Sequence, residues 1–411
     1  MLKIKKYLLI ILSSFFLFSC TESTSNVGKI NENEIAEIVS SDDTKDAITY
    51  DFLITNGMTF LEINTILNSA LSGDRVAVEA GTYNITGELA IKDGISIYGK
   101  SEIRPVFTAI ESSSTEMLEQ YWSSNNSDIE IYGIEFKNIR LNLRYASNTT
   151  IKSCVFDYGK RKLGTNKSFT QDAYIQLFET NNILLSENTF KRRQGNSGRG
   201  VYIVDCENTE ILNNTFGNDN GDEGYFVCSI NDNSDGTVIK ENIIKRNESW
   251  VNLNETDHGI YVHSFNNVTI ENNTISGWPT NSSGGSIKLR NGENATIRNN
   301  TMSTSGILMY VYGNTPDHPI LKNVVIINNN INVAITTTDD IYHGIGYWRD
   351  TLEEEFYEES INITENVLPN GNIKISNPIN VASFNKNGGG VFKNDIKVIN
   401  LVSGINNSGN D

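Results

Sequence analysis

A short phrase centred on asparagine recurs along the chain from residue 188 onward, as in Asn188-Thr189-Phe190 and Asn273-Thr274-Ile275. Its central asparagines return every 26 to 31 residues. A fixed period in this range indicates a repeat architecture. The recurring asparagines are Asn188, Asn214, Asn242, Asn273, Asn300 and Asn329, with a weaker copy at Asn366.

Each repeat contains short strands of alternating polarity and no amphipathic helix. One repeat is therefore expected to form one turn of a parallel β-helix, with buried asparagine amides hydrogen-bonded from coil to coil. A length of 411 residues suits a solenoid, which grows by adding coils. The sequence predicts an all-β, single-domain parallel β-helix over residues 48–411.

The first 20 residues have the pattern of a targeting segment. Lysines precede an apolar run from Leu8 to Phe18. The sequence Leu17-Phe18-Ser19-Cys20 resembles a bacterial lipobox, which implies that Cys20 is lipidated and that the lipid anchors the protein in the cell envelope, at the outer membrane. An ordinary signal peptide with a chance cysteine is the alternative. Residues 21–47 are polar and acidic, which indicates a flexible tether.

An amphipathic helix is predicted just before the first coil. Thr59 to Ser72 carries Phe60, Ile63, Leu67 and Leu71 at helical spacing, and a strand is expected from Arg75 to Val78. A helix here would cover the apolar core and strand edge that an open solenoid end exposes.

The charge and cysteine content exclude several classes of protein. The net charge of −17 argues against a general nucleic-acid binder, although a local basic groove could still bind an acidic substrate. Beyond Cys20 only Cys154, Cys206 and Cys228 remain, so no disulfide framework is expected. Cys154 occupies a ladder position, which favours a buried thiol. Four histidines and few cysteines give no transition-metal signature.

Alternation within the strands separates core from surface. When coils are registered by their asparagines, inward positions are occupied by aliphatic residues: Ile175, Leu177, Val201, Ile203, Ile260, Val262, Ile287 and Leu289. Outward positions on neighbouring rungs bring together aromatic and basic residues: Tyr202, Tyr261, His263, Lys288, Arg290 and Tyr310. This outward group is the candidate site.

The composition of the candidate site suits β-elimination on a uronic-acid polysaccharide. A cation must neutralise the C6 carboxylate so that the C5 proton becomes acidic, and Arg290 can bind a carboxylate bidentately. His263, Lys288 or a tyrosine such as Tyr261 could act as base or acid. The same residues are also compatible with a solvated surface, or with glycan binding without chemistry.

Basic residues follow the ladder in several coils, and stacked turns could align them as a polyanion track. Dispersed solvation of the turns explains them equally well. Trp278 follows the His263 coil and could stack on a sugar ring, although packing against the barrel is an equal alternative. The basic runs are Lys160-Arg161-Lys162, Lys191-Arg192-Arg193 and Lys245-Arg246.

The stretch from His258 to Ser264, taken with Ser286 to Asn294, resembles the catalytic stretch of polysaccharide lyase family 6, the alginate lyases and chondroitinase B. The resemblance implies a right-handed β-helix, and its catalytic arginine falls on Arg290. Its lysine base falls on His263, and its calcium-binding glutamates fall on Thr256 and His258. Calcium is therefore a possible cofactor whose ligand carboxylates are not matched.

A second resemblance is to polygalacturonase-type glycoside hydrolases. Gly221-Asp222-Glu223 resembles their paired-aspartate strand, and His258-Gly259 and Ile287-Lys288 resemble two further motifs. Inverting hydrolysis needs two carboxylates, for which Asp222, Glu223 and Asp257 are candidates. The matching aspartate one coil earlier is absent, since Arg199-Gly200-Val201 stands there.

The sequence thus predicts a monomeric, lipid-anchored polysaccharide lyase that acts on an anionic, alginate-like polymer. Tyr202, Tyr310, Trp278, Arg192 and Arg193 are its expected substrate-binding residues. A pectinase-type hydrolase and a non-catalytic surface glycan-binding lipoprotein are the alternatives, because β-helices carry all three functions.

Overall fold

The structure is a computed structural model of the chain. It describes residues 49–89, 91–109, 121–124, 126–157, 159–160, 173–191, 193–194, 199–217, 229–246, 258–278, 285–311, 318, 320–332, 344–349, 359–367, 372–374 and 396–399. The predicted signal peptide, lipidation site and tether lie outside these residues. Among the described residues, no helix is long and apolar enough to cross a membrane.

The strands form three walls, and all pairings between successive coils are parallel. This confirms the predicted right-handed parallel β-helix. Wall 1 carries the candidate site and consists of β6 (Tyr121–Ser124), β9 (Arg140–Arg144), β13 (Ala173–Phe178), β17 (Arg199–Val204), β20 (Ser229–Asp232), the first halves of β23 (His258–Glu271) and β25 (Gly285–Arg298), β27 (Ile307–Val311), β30 (Gly344–Arg349) and β32 (Asn372–Lys374).

Wall 2 follows wall 1 in each coil, and the long strands β23 and β25 run through both. Its strands are β1 (Phe52–Ile54), β2 (Arg75–Val78), β4 (Ser96–Gly99), β7 (Glu130–Tyr132), β10 (Ser147–Lys152), β14 (Asn181–Ser186), β18 (Glu207–Leu212), β21 (Val238–Lys240), the second halves of β23 and β25, β28 (Leu321–Ile327), β31 (Glu359–Thr364) and β33 (Ile396–Ile399).

Wall 3 has the shortest strands. They are β3 (Thr82–Ile85), β5 (Val106–Ala109), β8 (Glu135–Lys137), β11 (Val155–Asp157), β15 (Thr189–Phe190), β19 (Thr215–Phe216), β22 (Ile243–Lys245), β24 (Thr274–Ser276), β26 (Thr301–Ser303) and β29 (Asn330–Asn332). A separate two-stranded pairing joins β12 (Gly159–Lys160) to β16 (Arg193–Gln194).

The corners between walls explain much of the asparagine content. Residues at these corners adopt positive φ angles, as at Asn213 (55°), Asn272 (56°) and Asn299 (56°). Asparagine tolerates this left-handed conformation better than most residues, because its short amide can bond to the local backbone. The residue that follows each of these positions is a ladder asparagine, so one dipeptide both bends the chain and joins the coils.

The ladder between walls 2 and 3 is continuous from Asn188 to Asn366. From Asn188 to Asn329, each amide Nδ2 donates to the Oδ1 of the ladder asparagine in the next coil at 2.9–3.0 Å, and also to a backbone carbonyl in the preceding coil. The backbone N–H of Cys154 donates to Asn188 Oδ1 at 2.9 Å, so the cysteine stands at the end of the ladder. All of these residues are buried, as the repeat predicted.

Inward side chains of the three walls form one hydrophobic core. Its aliphatic members include all eight predicted from strand alternation, each at most 1% exposed. Wall 3 adds a column of stacked rings, in which Phe156, Phe190 and Phe216 lie 4.9 and 4.4 Å apart between centroids. Each ring therefore stacks on the equivalent ring of the next coil, so every added coil extends the same core.

A helix, α1 (Phe60–Ser69), lies before the second strand, as predicted. Thr59 and Glu62 form a capping box at its start. Ile63 and Leu67 are buried in the core, and Phe60 is partly buried against it. The helix ends three residues earlier than expected, and Leu71 is 68% exposed, so Leu71 does not belong to the buried face.

Candidate functional site

The register of wall 1 places the predicted site residues in two adjacent outward columns. In the first column Tyr261 pairs with Lys288. In the second, His263 pairs with Arg290, and Arg290 pairs with Tyr310. Successive rungs are about 4.8 Å apart, so these five side chains share a small patch of one sheet face.

Arg290 and Tyr261 make the central contact of the site. Arg290 Nη1 donates a hydrogen bond to Tyr261 Oη at 3.0 Å, which joins the two columns. The guanidinium Cζ also lies 5.5 Å from the centroid of the Tyr310 ring. Arg290 remains partly exposed at the surface of the site, although its Nε is buried.

Lys288 lies between two tyrosine rings. Its Nζ is 5.3 Å from the Tyr261 centroid and 4.6 Å from the Tyr310 centroid, within cation–π distance of both. The residue is only 6% exposed. An outward strand position is thus mostly buried here, and the ammonium is held in place at the floor of the site.

Two histidines flank Tyr261 on the same strand. The ring of His258 lies 4.9 Å from the Tyr261 ring at a tilt of 42°, and the ring of His263 lies 6.0 Å away and nearly parallel. His258 is mostly buried, whereas His263 and Tyr261 are partly exposed. His263 and Tyr261 are therefore the groups in this patch that could exchange protons with a bound ligand.

The expectation for Trp278 is wrong. This side chain is fully buried and belongs to the hydrophobic core, so its ring cannot stack on a sugar. A Cβ at Gly259 would come within 3.2 Å of Trp278 Cε3 and 2.7 Å of the Ser286 carbonyl oxygen. The glycine of the His-Gly pair is therefore explained by close packing.

Tyr202 and Tyr310 also differ from the expected exposed binding residues, because they are 7% and 8% exposed. Tyr202 belongs to a small cluster on the outside of wall 1 that contains Ala173, Phe178, Val204 and Tyr261. Both tyrosines lie on the predicted face, but they are packed against neighbouring side chains and expose little surface to a ligand.

The predicted basic track is only partly within the described residues. Pairing of β12 with β16 stacks the turn of Lys160 beneath that of Arg193, as expected, whereas Arg192 and the Arg193 side chain lie outside the description. Lys191 Nζ is 3.9 Å from Glu135 Oε1. Arg246 is buried, at 4% exposed, so it does not belong to an exposed track.

Sequence reasoning missed part of wall 1. Asp232 occupies the column of His263, one rung away, and Phe178 and Arg144 continue the same column through Val204. Arg144 was missed because Cys154 replaces the ladder asparagine in its coil, so the register of that coil could not be set from the sequence. Asp222, Glu223, Thr256, Asp257 and Cys228 lie outside the described residues.

The two described cysteines are structural. Cys154 and Cys206 are both 1% exposed, and burial raises the pKa of the Cys154 thiol to about 12. Burial also raises the pKa of Cys206, whose sulfur lies 3.1 Å from Thr180 Oγ1. Both groups are neutral thiols at ordinary pH, as expected for Cys154 from its ladder position.

A family model described as periplasmic copper-binding protein (NosD) matches residues 162–373, just over half of the chain. The chain belongs to this family. No curated protein sequence matches it.

Several solved structures share the fold. PfbA, a surface adhesin of Streptococcus pneumoniae, has a TM-score of 0.52 and 13% identity, covering 77% of this chain and 86% of its own. An alginate lyase from Paenibacillus sp. str. FPU-7 has a TM-score of 0.48 and 14% identity, covering 78% and 97%. A family 28 exopolygalacturonase from Yersinia enterocolitica has 0.44 and 12%, covering 78% and 72%. At these identities the likeness concerns the fold.

The donor groups of the described residues do not fit the copper named in the family description. Copper sites use clustered imidazoles, thiolates or thioethers. Within the described ranges, no group of three or more histidine, cysteine, aspartate or glutamate side chains is placed to hold a metal. The buried, protonated thiols of Cys154 and Cys206 are poor ligands, because thiolate is the ligating form.

Proposed function

We propose that this protein is a carbohydrate-active enzyme of the cell envelope that cleaves an anionic, uronic-acid polysaccharide by β-elimination. The observation that carries the proposal is the Arg290–Tyr261 hydrogen bond beside Lys288, on one face of wall 1. Two cations and a phenol oxygen are thereby held together before any ligand arrives, and such preorganisation is what transition-state stabilisation requires.

Arg290 and Lys288 would bind the C6 carboxylate. Two neighbouring cations favour an anion at this place, and the planar guanidinium can engage two oxygens at once. Neutralising the carboxylate makes the C5 proton more acidic and stabilises the enolate that forms when this proton leaves.

Tyr261 and His263 would carry the two proton transfers. One removes the C5 proton, and the other protonates the glycosidic oxygen as the C4–O bond breaks. The hydrogen bond from Arg290 keeps the Tyr261 oxygen next to the carboxylate subsite. Tyr261→Phe and His263→Ala should each slow turnover. The base is the residue whose substitution removes the acidic limb of the plot of kcat/KM against pH.

Location in the cell envelope is supported by the family description, which is of a periplasmic protein. Anchoring through a lipid on Cys20 rests on the lipobox. Labelling of the host with a radioactive fatty acid should mark the wild type and leave Cys20→Ala unlabelled; equal labelling of both would exclude the lipobox.

The proposed reaction is tested by its products. The domain without residues 1–20 is incubated with uronic-acid and neutral polysaccharides, and both ultraviolet absorbance and new reducing ends are recorded. Elimination yields an unsaturated, absorbing sugar for every reducing end. Reducing ends without absorbance would instead indicate hydrolysis, for which Asp232, in the column of His263, is a candidate carboxylate. Retention of polymer without either product would indicate a binding protein.

A further inference from the structure

The outward column that contains Arg290 does not end at the candidate site. It continues through His263, Asp232, Val204 and Phe178 to Arg144. These are five rung steps of about 4.8 Å, so Arg144 lies about 24 Å from Arg290 along the solenoid. The two arginines therefore lie on one outward column of the same face, five rungs apart.

Arg144 is exposed and stacks on an aromatic ring. Its Cζ lies 4.8 Å from the centroid of Phe178, and Phe178 in turn contacts Tyr202 edge-on at 5.6 Å. Among the residues that the structure describes, no carboxylate lies within salt-bridge distance of Arg144. The guanidinium is thus oriented by Phe178, and its exposed N–H groups can donate to an anion.

Tyr145 adds a second observation at the same place. It is 63% exposed and adopts φ 57°, a conformation that is unfavourable for a bulky side chain. The residues that follow the next strands of wall 1 occupy the same corner, and they are small or polar: Glu179, Asp205, Asn233, Ser264 and Asn291. An exposed aromatic at a corner that favours asparagine is better explained by an external contact than by folding.

We propose that Arg144, Tyr145 and Phe178 form a second subsite for anionic sugar units, distant from the reacting unit. This rests on the proposed function, because the occupant is the same polyuronate chain running along wall 1. Arg144 would pair with a carboxylate, and Tyr145 would contact the apolar face of a sugar ring. The enzyme would then prefer chains long enough to span about 24 Å.

Two substitutions test the subsite without touching the candidate catalytic residues. Arg144→Ala removes the charge. Tyr145→Asn removes the aromatic ring while supplying a residue that fits the corner, so it should leave the melting temperature equal or higher. Arg298→Ala is the matched control, because Arg298 is an outward arginine on wall 2 that pairs with Glu271 at 2.8 Å.

The measurements are retention in polyuronate-containing native gels and KM for oligouronates of increasing length. Arg144→Ala and Tyr145→Asn should each weaken retention and raise KM about tenfold on long chains, and leave trisaccharide kinetics and kcat unchanged. Arg298→Ala should match the wild type. Wild-type values for both variants on long chains would overturn the subsite while leaving the proposed reaction intact.

The gel also separates the two proposals if no cleavage is found. Suppose that the gel retains the wild type but neither Arg144→Ala nor Tyr145→Asn. This result would support a polyuronate-binding strip even though the proposed reaction had failed. Failure of any polyuronate to retard the wild-type protein would overturn the subsite.

Discussion

The corner between walls 2 and 3 and the outward face of wall 1 belong to the same coils but follow opposite rules. At the corner, one residue type repeats from Asn188 to Asn366, and each copy satisfies its neighbour. On wall 1, neighbouring rungs carry Tyr261 beside Lys288 and His263 beside Arg290. The repeated asparagines stabilise the stacking of the coils. The outward residues of wall 1 differ from rung to rung, which indicates that they serve a function other than folding.

The comparison is sharpest at Arg290. Arg290→Ala should lower kcat/KM on a polyuronate at least a hundredfold, about 3 kcal/mol or more, because the enolate loses its main cationic partner. Arg290→Lys should recover only part, since an ammonium cannot bind both carboxylate oxygens in a planar fork. Steady-state kinetics check this, with Arg298→Ala as control; full activity of Arg290→Ala would remove Arg290 from the mechanism.

The ladder makes the opposite prediction. Asn273→Leu should lower the free energy of unfolding by about 3 kcal/mol, because Asn242 and Asn300 are left with buried polar atoms that lack their partner. Activity per folded molecule should not change. Denaturant unfolding measures the loss, and Asn330→Leu, at an exposed strand position, is the control. Equal stability of the two variants would contradict the ladder's structural role.

Lys288 combines features of both regions, because it is buried like a ladder residue yet lies on the outward face of wall 1. Lys288→Met keeps a long side chain between the two tyrosine rings and removes the charge, so kcat should fall about tenfold while stability changes little. Lys288→Ala should lose the same activity and also stability, because it leaves space between the rings. An active Lys288→Met enzyme would show that the lysine only fills this space.

The smallest effect concerns Cys154 at the end of the ladder. Because burial raises its pKa to about 12 from 9.0, the native thiol should resist alkylation at pH 8 and react only after unfolding, as peptide mass mapping would show. The raised pKa favours the folded state below about pH 9, and this contribution is lost as the pH rises towards 12. Rapid native labelling at Cys154 would contradict its burial.

Asparagine spacing was sufficient to predict the fold, the ladder and the eight core aliphatic residues, because left-handed corners and buried amides restrict the residue type strongly. It also predicted that Tyr261, His263, Lys288, Arg290 and Tyr310 share the outward face of neighbouring rungs, and the structure added their pairing into two columns. It did not predict that Trp278 is buried, because this depends on the space left by Gly259. Arg144 was missed because its coil has Cys154 in place of the asparagine that sets the register, and the part played by Phe178 depends on its contact with Arg144.

The most direct test measures unsaturated product per folded molecule for the wild type, Asn273→Leu and Arg290→Ala, at a temperature where all three remain folded. The wild type and Asn273→Leu should eliminate a polyuronate at equal rates, and Arg290→Ala should be at least a hundredfold slower with an unchanged melting temperature. Equal rates for wild type and Arg290→Ala would contradict the assignment of function to the outward face of wall 1.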